Sequence, residues 1–263
     1  MKTIFFKEIR INLKNFLIWS LGVGLLGLSC ILLYKSMQGD MKEMADAFSN
    51  MGAFSDAFGM STLSIATLEG YFATEVGTVH GLGSAMFAAI IAIGILSKEE
   101  EEHTGEFLFS FPVSRVKVVI AKFLCIITML VMFTLICAGL YAYGFYALDV
   151  DLPTKEFWTF MLRELLMNVE IAAVCFFLSS ISSKNKMGTG LGIALLLYVY
   201  DLIGRVVPDL KDYLFIGPFS YANASEIFSN KNLDAISFVL AAAVILLCSV
   251  SAIVTFNKRD LAG

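Results

Sequence analysis

Residues 118–145 read VVIAKFLCIITMLVMFTLICAGLYAYGF, and the fold class turns on them. The run is rich in Leu, Ile, Val, Phe and Ala and carries a single charge, Lys122. About 20 apolar residues suffice for a helix to cross the hydrocarbon core of a bilayer, so this segment is long enough to span. Five further segments meet that standard or approach it: Phe16 to Tyr34, Val79 to Leu96, Phe157 to Ile181, Met187 to Val207 and Ile236 to Phe256. The sequence thus predicts an all-α membrane protein with six transmembrane helices in one domain over residues 1–263. Composition agrees: 58% of the chain is apolar and 16% charged, against roughly 45–50% and 25% in soluble domains. A soluble enzyme, a disordered chain and a fibrous chain are all disfavoured. A net charge of −4 offers no argument for nucleic acid as a partner.

The basic residues predict orientation. With the N-terminus inside, twelve Lys and Arg lie on the cytoplasmic side, among them Lys7, Arg10, Lys98, Lys117, Lys184 and Arg259. Six lie outside, in longer loops, and Arg163 falls within a span. The positive-inside rule then puts both termini in the cytoplasm of a multi-pass cell-membrane protein. Phe5, Ile9, Leu13 and Phe16 share one helical face opposite Lys7, Arg10 and Lys14, which predicts an interfacial helix over residues 1–15. No small-residue cleavage pattern follows Tyr34, so the first span is expected to be retained. The five cysteines all fall within spans and read as small packing residues.

Two long extracellular segments are expected. Residues 35–78 carry six acids with repeated Met, Phe and Ala, a composition suited to amphipathic helices. Residues 208–235 are broken by Pro208, Gly217 and Pro218 and read as a re-entrant segment; Asn223-Ala224-Ser225 spells a glycosylation sequon.

The cytoplasmic loop 97–117 has the most distinctive chemistry. Four acids run from Glu99 to Glu102, His103 and Gly105 follow, and then a short apolar turn carries Phe107, Leu108 and Phe111 before Pro112 and Arg115. Phe107 and Phe111 are four residues apart and would share a helical face. Large apolar side chains at such a place call for cover, from a protein partner, the membrane surface or the chain's own spans.

This loop, with Lys122 beyond it, resembles the second-to-third-span loop of ABC-2 type transporter permeases. Ile216-Gly-Pro-Phe-Ser-Tyr221 and the tail Phe256-Asn-Lys-Arg-Asp260 also resemble that family in outline. The resemblance implies a coupling helix seated on a separate ABC ATPase subunit, which would bind ATP and Mg. It further implies a second permease copy or a homologous permease as partner. The contact residues it implies are Glu101, Glu102, His103, Gly105, Phe107, Leu108, Phe111, Pro112 and Arg115, and the four-acid run leaves open which carboxylate takes the family's role. The chain itself has no phosphate-binding loop with its Lys, so it is expected to hold no cofactor and to need an ATPase on another polypeptide.

Ionisable groups inside spans are costly and point to function. Glu164, Asn168, Glu170 and Asp201 are the candidates for a translocation path. Asp201 and Arg205 have the spacing of a local ion pair, and Arg163 lies near Asp201 in depth. A polar path and a set of mutually neutralised packing pairs are both open on sequence alone. A secondary transporter or channel using these carboxylates is one rival function. An intramembrane protease, suggested by His80 and Ser84 four residues apart, is a weaker one.

Overall fold

A computed structural model describes residues 1–37, 39, 41–49, 51–60, 63–104, 113–230 and 235–259. Among these residues the regular structure is helical throughout. Six helices are long and apolar enough to cross a membrane. They are α1 (Lys2–Met37), α4 (Leu68–Ile93), α6 (Arg115–Ala147), α7 (Thr154–Ile181), α8 (Met187–Val206) and α12 (Ala235–Lys258). The short helices α2 (Met41–Ser49) and α3 (Ala53–Ala57) follow α1, and α5 (Lys98–Glu101) follows α4. Between α8 and α12 come α9 (Pro208–Lys211), α10 (Pro218–Ala222) and α11 (Ala224–Phe228). Residues 2, 93, 115, 181, 187 and 258 lie at one end of the bundle, which carries both termini; the other is the far end.

Two boundaries differ from the sequence expectation. Residues 1–15 run without a break into the first span, giving a helix of 36 residues, about 54 Å at 1.5 Å per residue. The second span begins at Leu68 rather than Val79, so the loop expected over 35–78 is shortened from both sides. Its first turns include a π-helical stretch, Phe72–Val76, in sequence too polar to register as a span. Phe72 anchors those turns: its ring lies 5.4–6.0 Å from Tyr141, Phe145, Phe157, Phe160 and Phe228. Edge and tilted contacts of this kind join α4, α6, α7 and α11 in one aromatic core.

The central helices are α4 and α7; α1 and α6 pack together against them, α8 packs on α4, and α12 packs on α7 and reaches α6. Close approach of α1 to α6 depends on small residues, since a Cβ at Gly24 would meet the Leu140 side chain and one at Gly27 the Tyr141 ring. Cys125, Cys137 and Cys175 are buried packing residues, as their positions predict. Outward faces remain apolar: Leu196 of α8 is 70% exposed and Leu247 of α12 68%. In water that surface would be unfavourable; in lipid it is the ordinary face of a spanning helix.

Candidate functional site

At the terminus-bearing end, α4 stops at Gly94, and the chain turns directly into the acidic run. Ser179 Oγ accepts the backbone N–H groups of Leu96 and Ser97 at 3.0 and 3.3 Å. Lys122 Nζ donates to the Ile95 carbonyl at 2.5 Å, placing a cation at the negative end of α4. Helix α5 then lasts a single turn. His103 closes it in the left-handed region (φ 53°), with Thr104 N–H on the Glu99 carbonyl and His103 N–H on that of Glu100. This is a helix C-cap, so the exposed His103 has a backbone role in stopping the turn.

Each side chain of that turn engages a different part of the bundle. Lys98 Nζ lies 2.5 Å from Glu8 Oε2 of α1. Glu99 Oε1 lies 2.5 Å from Lys122 Nζ of α6, which also sits 3.4 Å from Glu8 Oε1. Glu100 pairs with Arg259, just past α12, at 2.5 Å. Glu101 Oε2 accepts the backbone N–H of Asn185, between α7 and α8, at 2.8 Å. Arg259 also donates to the Ser180 and Ser182 carbonyls, and Arg115 donates to the Arg259 carbonyl. Lys122 is 0% exposed and Glu8 is 1%. Such charges hold inside a protein only when they are paired, and Lys122 and Glu8 are paired here.

Of the expected contact residues, Glu101, Glu102, His103 and Arg115 lie at the edges of this hub, with Glu102 and His103 facing solvent. Gly105, Phe107, Leu108, Phe111 and Pro112 fall outside the described residues. Sequence reasoning missed Glu8. Its signal was present: it is the one acid among Lys2, Lys7, Arg10 and Lys14.

At the far end the four path candidates separate. Glu164 and Asp201 line one cleft, with Gly77, Thr78, Gly81, Tyr198 and residues of α10 and α11. Glu170 instead accepts the Tyr221 hydroxyl at 2.7 Å, and buried Asn168 does not line the cleft. Glu170 lies 16 residues into α7, about 24 Å along its axis, so α10 reaches well into the bundle. Burial of Phe219, Tyr221, Ala224 and Phe228 shows the same insertion. Gly77 permits it, since a Cβ there would sit 2.7 Å from that of Ala224.

Asp201 and Arg205 form the expected pair, at 2.8 and 3.0 Å. A third partner was not foreseen: Arg205 also reaches Glu226 at 3.3 Å. Arg163 lies over the Phe238 ring, 5.5 Å from its centroid, while Asp201 is bound by Arg205. The sequon gives way to another role. Asn223 Oδ1 accepts the Glu226 N–H at 3.0 Å as the N-cap of α11, and Ser225 is buried. His80 and Ser84 turn to different partners: His80 Nδ1 meets the Tyr141 hydroxyl at 3.1 Å, and Ser84 donates toward Glu164. No nucleophile–base bond joins them in this arrangement, which removes the ground for a protease.

A family model described as "ABC-2 family transporter protein" matches residues 2–261. No curated protein matches the chain.

Proposed function

This chain belongs to the ABC-2 transporter family, and from that premise we propose that it is the membrane permease subunit of an ATP-driven exporter. It works with a separate ATPase subunit that binds ATP and Mg. A second copy, or a homologous permease, completes the transport unit in the cell membrane, with both termini cytoplasmic. The observation that carries the reading is the hub at α5. Four consecutive side chains, Lys98 to Glu101, tie the start of the loop to α1, α6, the α7–α8 connection and the end of α12. A push on a free loop would be absorbed by local bending. A push on this turn is delivered to several helices at once, because buried ion pairs resist separation.

In this reading Phe107, Leu108 and Phe111 supply the apolar anchor in the ATPase groove, as central apolar residues do in protein interfaces. Glu102 and His103 precede the anchor in the sequence and set its register through charge. The belt of exposed apolar residues along α8 and α12 supports life in a bilayer. The test is to co-express the chain with a candidate phosphate-loop ATPase subunit and purify through a tag on the ATPase. Replacing Phe107 and Phe111 together by Ala is expected to lower the recovered permease at least tenfold. Undiminished recovery with undiminished ATPase stimulation would sink the coupling assignment.

A further inference from the structure

We propose that the far-end cleft between α4, α7 and α8 binds the cationic group, an ammonium or guanidinium, of an amphipathic substrate. This rests on reading the chain as a transporter, and it assigns the substrate's chemistry.

The charge inventory of the cleft comes first. Glu164 and Asp201 line the cleft. Arg205 pairs with Asp201 and with Glu226 of α11, both Arg205 and Glu226 lying outside the lining, and no ion pair among the described residues reaches Glu164. Arg205 places Nε and Nη2 on the two oxygens of Asp201 and Nη1 on Glu226. All three of its nitrogens are thus engaged by Asp201 and Glu226. That carboxylate is 3% exposed, and its only hydrogen bond among the described residues is from Ser84 to Oε2, at a long 3.4 Å. Oε1 has no donor among the described residues, although the residue lines the cleft. A buried carboxylate without a counter-charge is strongly disfavoured and is neutralised either by a proton or by a cation from outside, and an ammonium or guanidinium entering the cleft would supply the second.

Shape points the same way. Gly81 faces Glu164, and a Cβ there would stand 3.2 Å from Oε1, so the missing side chain leaves room beside the free oxygen. Tyr198 and Phe219, edge to face at 5.5 Å, also line the cleft. Aromatic rings and an unpaired carboxylate in one cleft match a cation carried on apolar atoms, held by charge and by ring faces. A hydrated metal ion would find no use for those rings.

The test uses the full-length chain in phosphatidylcholine nanodiscs and an amphipathic peptide with one Lys, labelled with a neutral dye. A second peptide carries the same Lys acetylated. Wild-type protein is expected to bind the acetylated peptide about tenfold more weakly, the usual scale for losing a charged hydrogen bond. Glu164→Gln should weaken the Lys peptide by a similar factor and leave the acetylated one unchanged, so the two losses do not add. Gly81→Ala, which keeps every charge and narrows the space at Oε1, should weaken the Lys peptide several-fold; it carries the test should the Gln variant fail to fold. Equal binding of both peptides, no binding of either, or indifference of the Lys peptide to both substitutions would overturn the proposal. Recovery of the ATPase with wild-type chain is scored in the same preparations. Its failure would count against the permease reading and would leave the peptide result standing.

Discussion

The two ends of the bundle both gather carboxylates, and they treat them in opposite ways. At the terminus-bearing end, Glu8, Glu99 and Glu100 each pair with a cation, Lys98, Lys122 or Arg259, while Glu101 accepts a backbone N–H. At the far end, Asp201 and Glu226 share Arg205, and Glu164 has no ion pair among the described residues. Balanced burial holds helices in a defined arrangement; unbalanced burial leaves a demand that a ligand can meet. The first pattern suits a part that transmits force. The second suits a part that receives cargo.

Substitutions can break that contrast in order of expected effect. Lys122→Met removes the cation shared by Glu8 and Glu99 and strips the end of α4 of its cap. Breaking a buried pair in this way costs about 3–5 kcal/mol, which should appear as a large fall in the thermal unfolding midpoint in nanodiscs. A midpoint within a degree of wild type would mean that the hub does not hold the bundle. Tyr221→Phe takes the hydroxyl from Glu170 and should cost about 1.5–3 kcal/mol, the range for hydrogen bonds to charged groups. The same preparations should then show α10 more open to protease, because its deepest polar tie is gone. Glu100→Gln touches the least buried pair of the hub and should cost about 1 kcal/mol or less, shrinking further in high salt. A loss as large as that of Lys122→Met would erase the distinction between core and rim of the hub. Glu164→Gln is expected to move stability the other way, raising the midpoint while lowering affinity for the cationic peptide. A simultaneous fall in both would show that Glu164 serves the fold rather than a ligand.

Much of the architecture was legible because membrane spans announce themselves locally. Residues 118–145 need no partner to be recognised as a spanning helix, and α7 and α8 start or stop within a few residues of the expected points. The start of α4 was not legible. Leu68 to Val76 includes Glu69, Thr74 and Glu75, and only packing of Phe72 among five aromatic rings makes that stretch part of a span. Within the candidate sites, Asp201 and Arg205 were readable from their four-residue spacing on one helix. Glu226 was hidden behind a misleading sequon, although an Asn three residues before a Glu is also an N-cap signature.

By itself the sequence determined that this is a six-span α-helical membrane protein with an acidic, then apolar, loop between its second and third spans. Those features depend on hydrophobic length and local charge, which any short window of the chain contains. Only the tertiary structure decided which charges meet. Glu8 finds Lys98 and Lys122 across 90 and 114 positions of chain, and Glu164 lies beside Gly81 with Arg205 turned to others. Coulomb energy and desolvation depend on distance and burial in space. Neither quantity is written along the chain until the helices have packed.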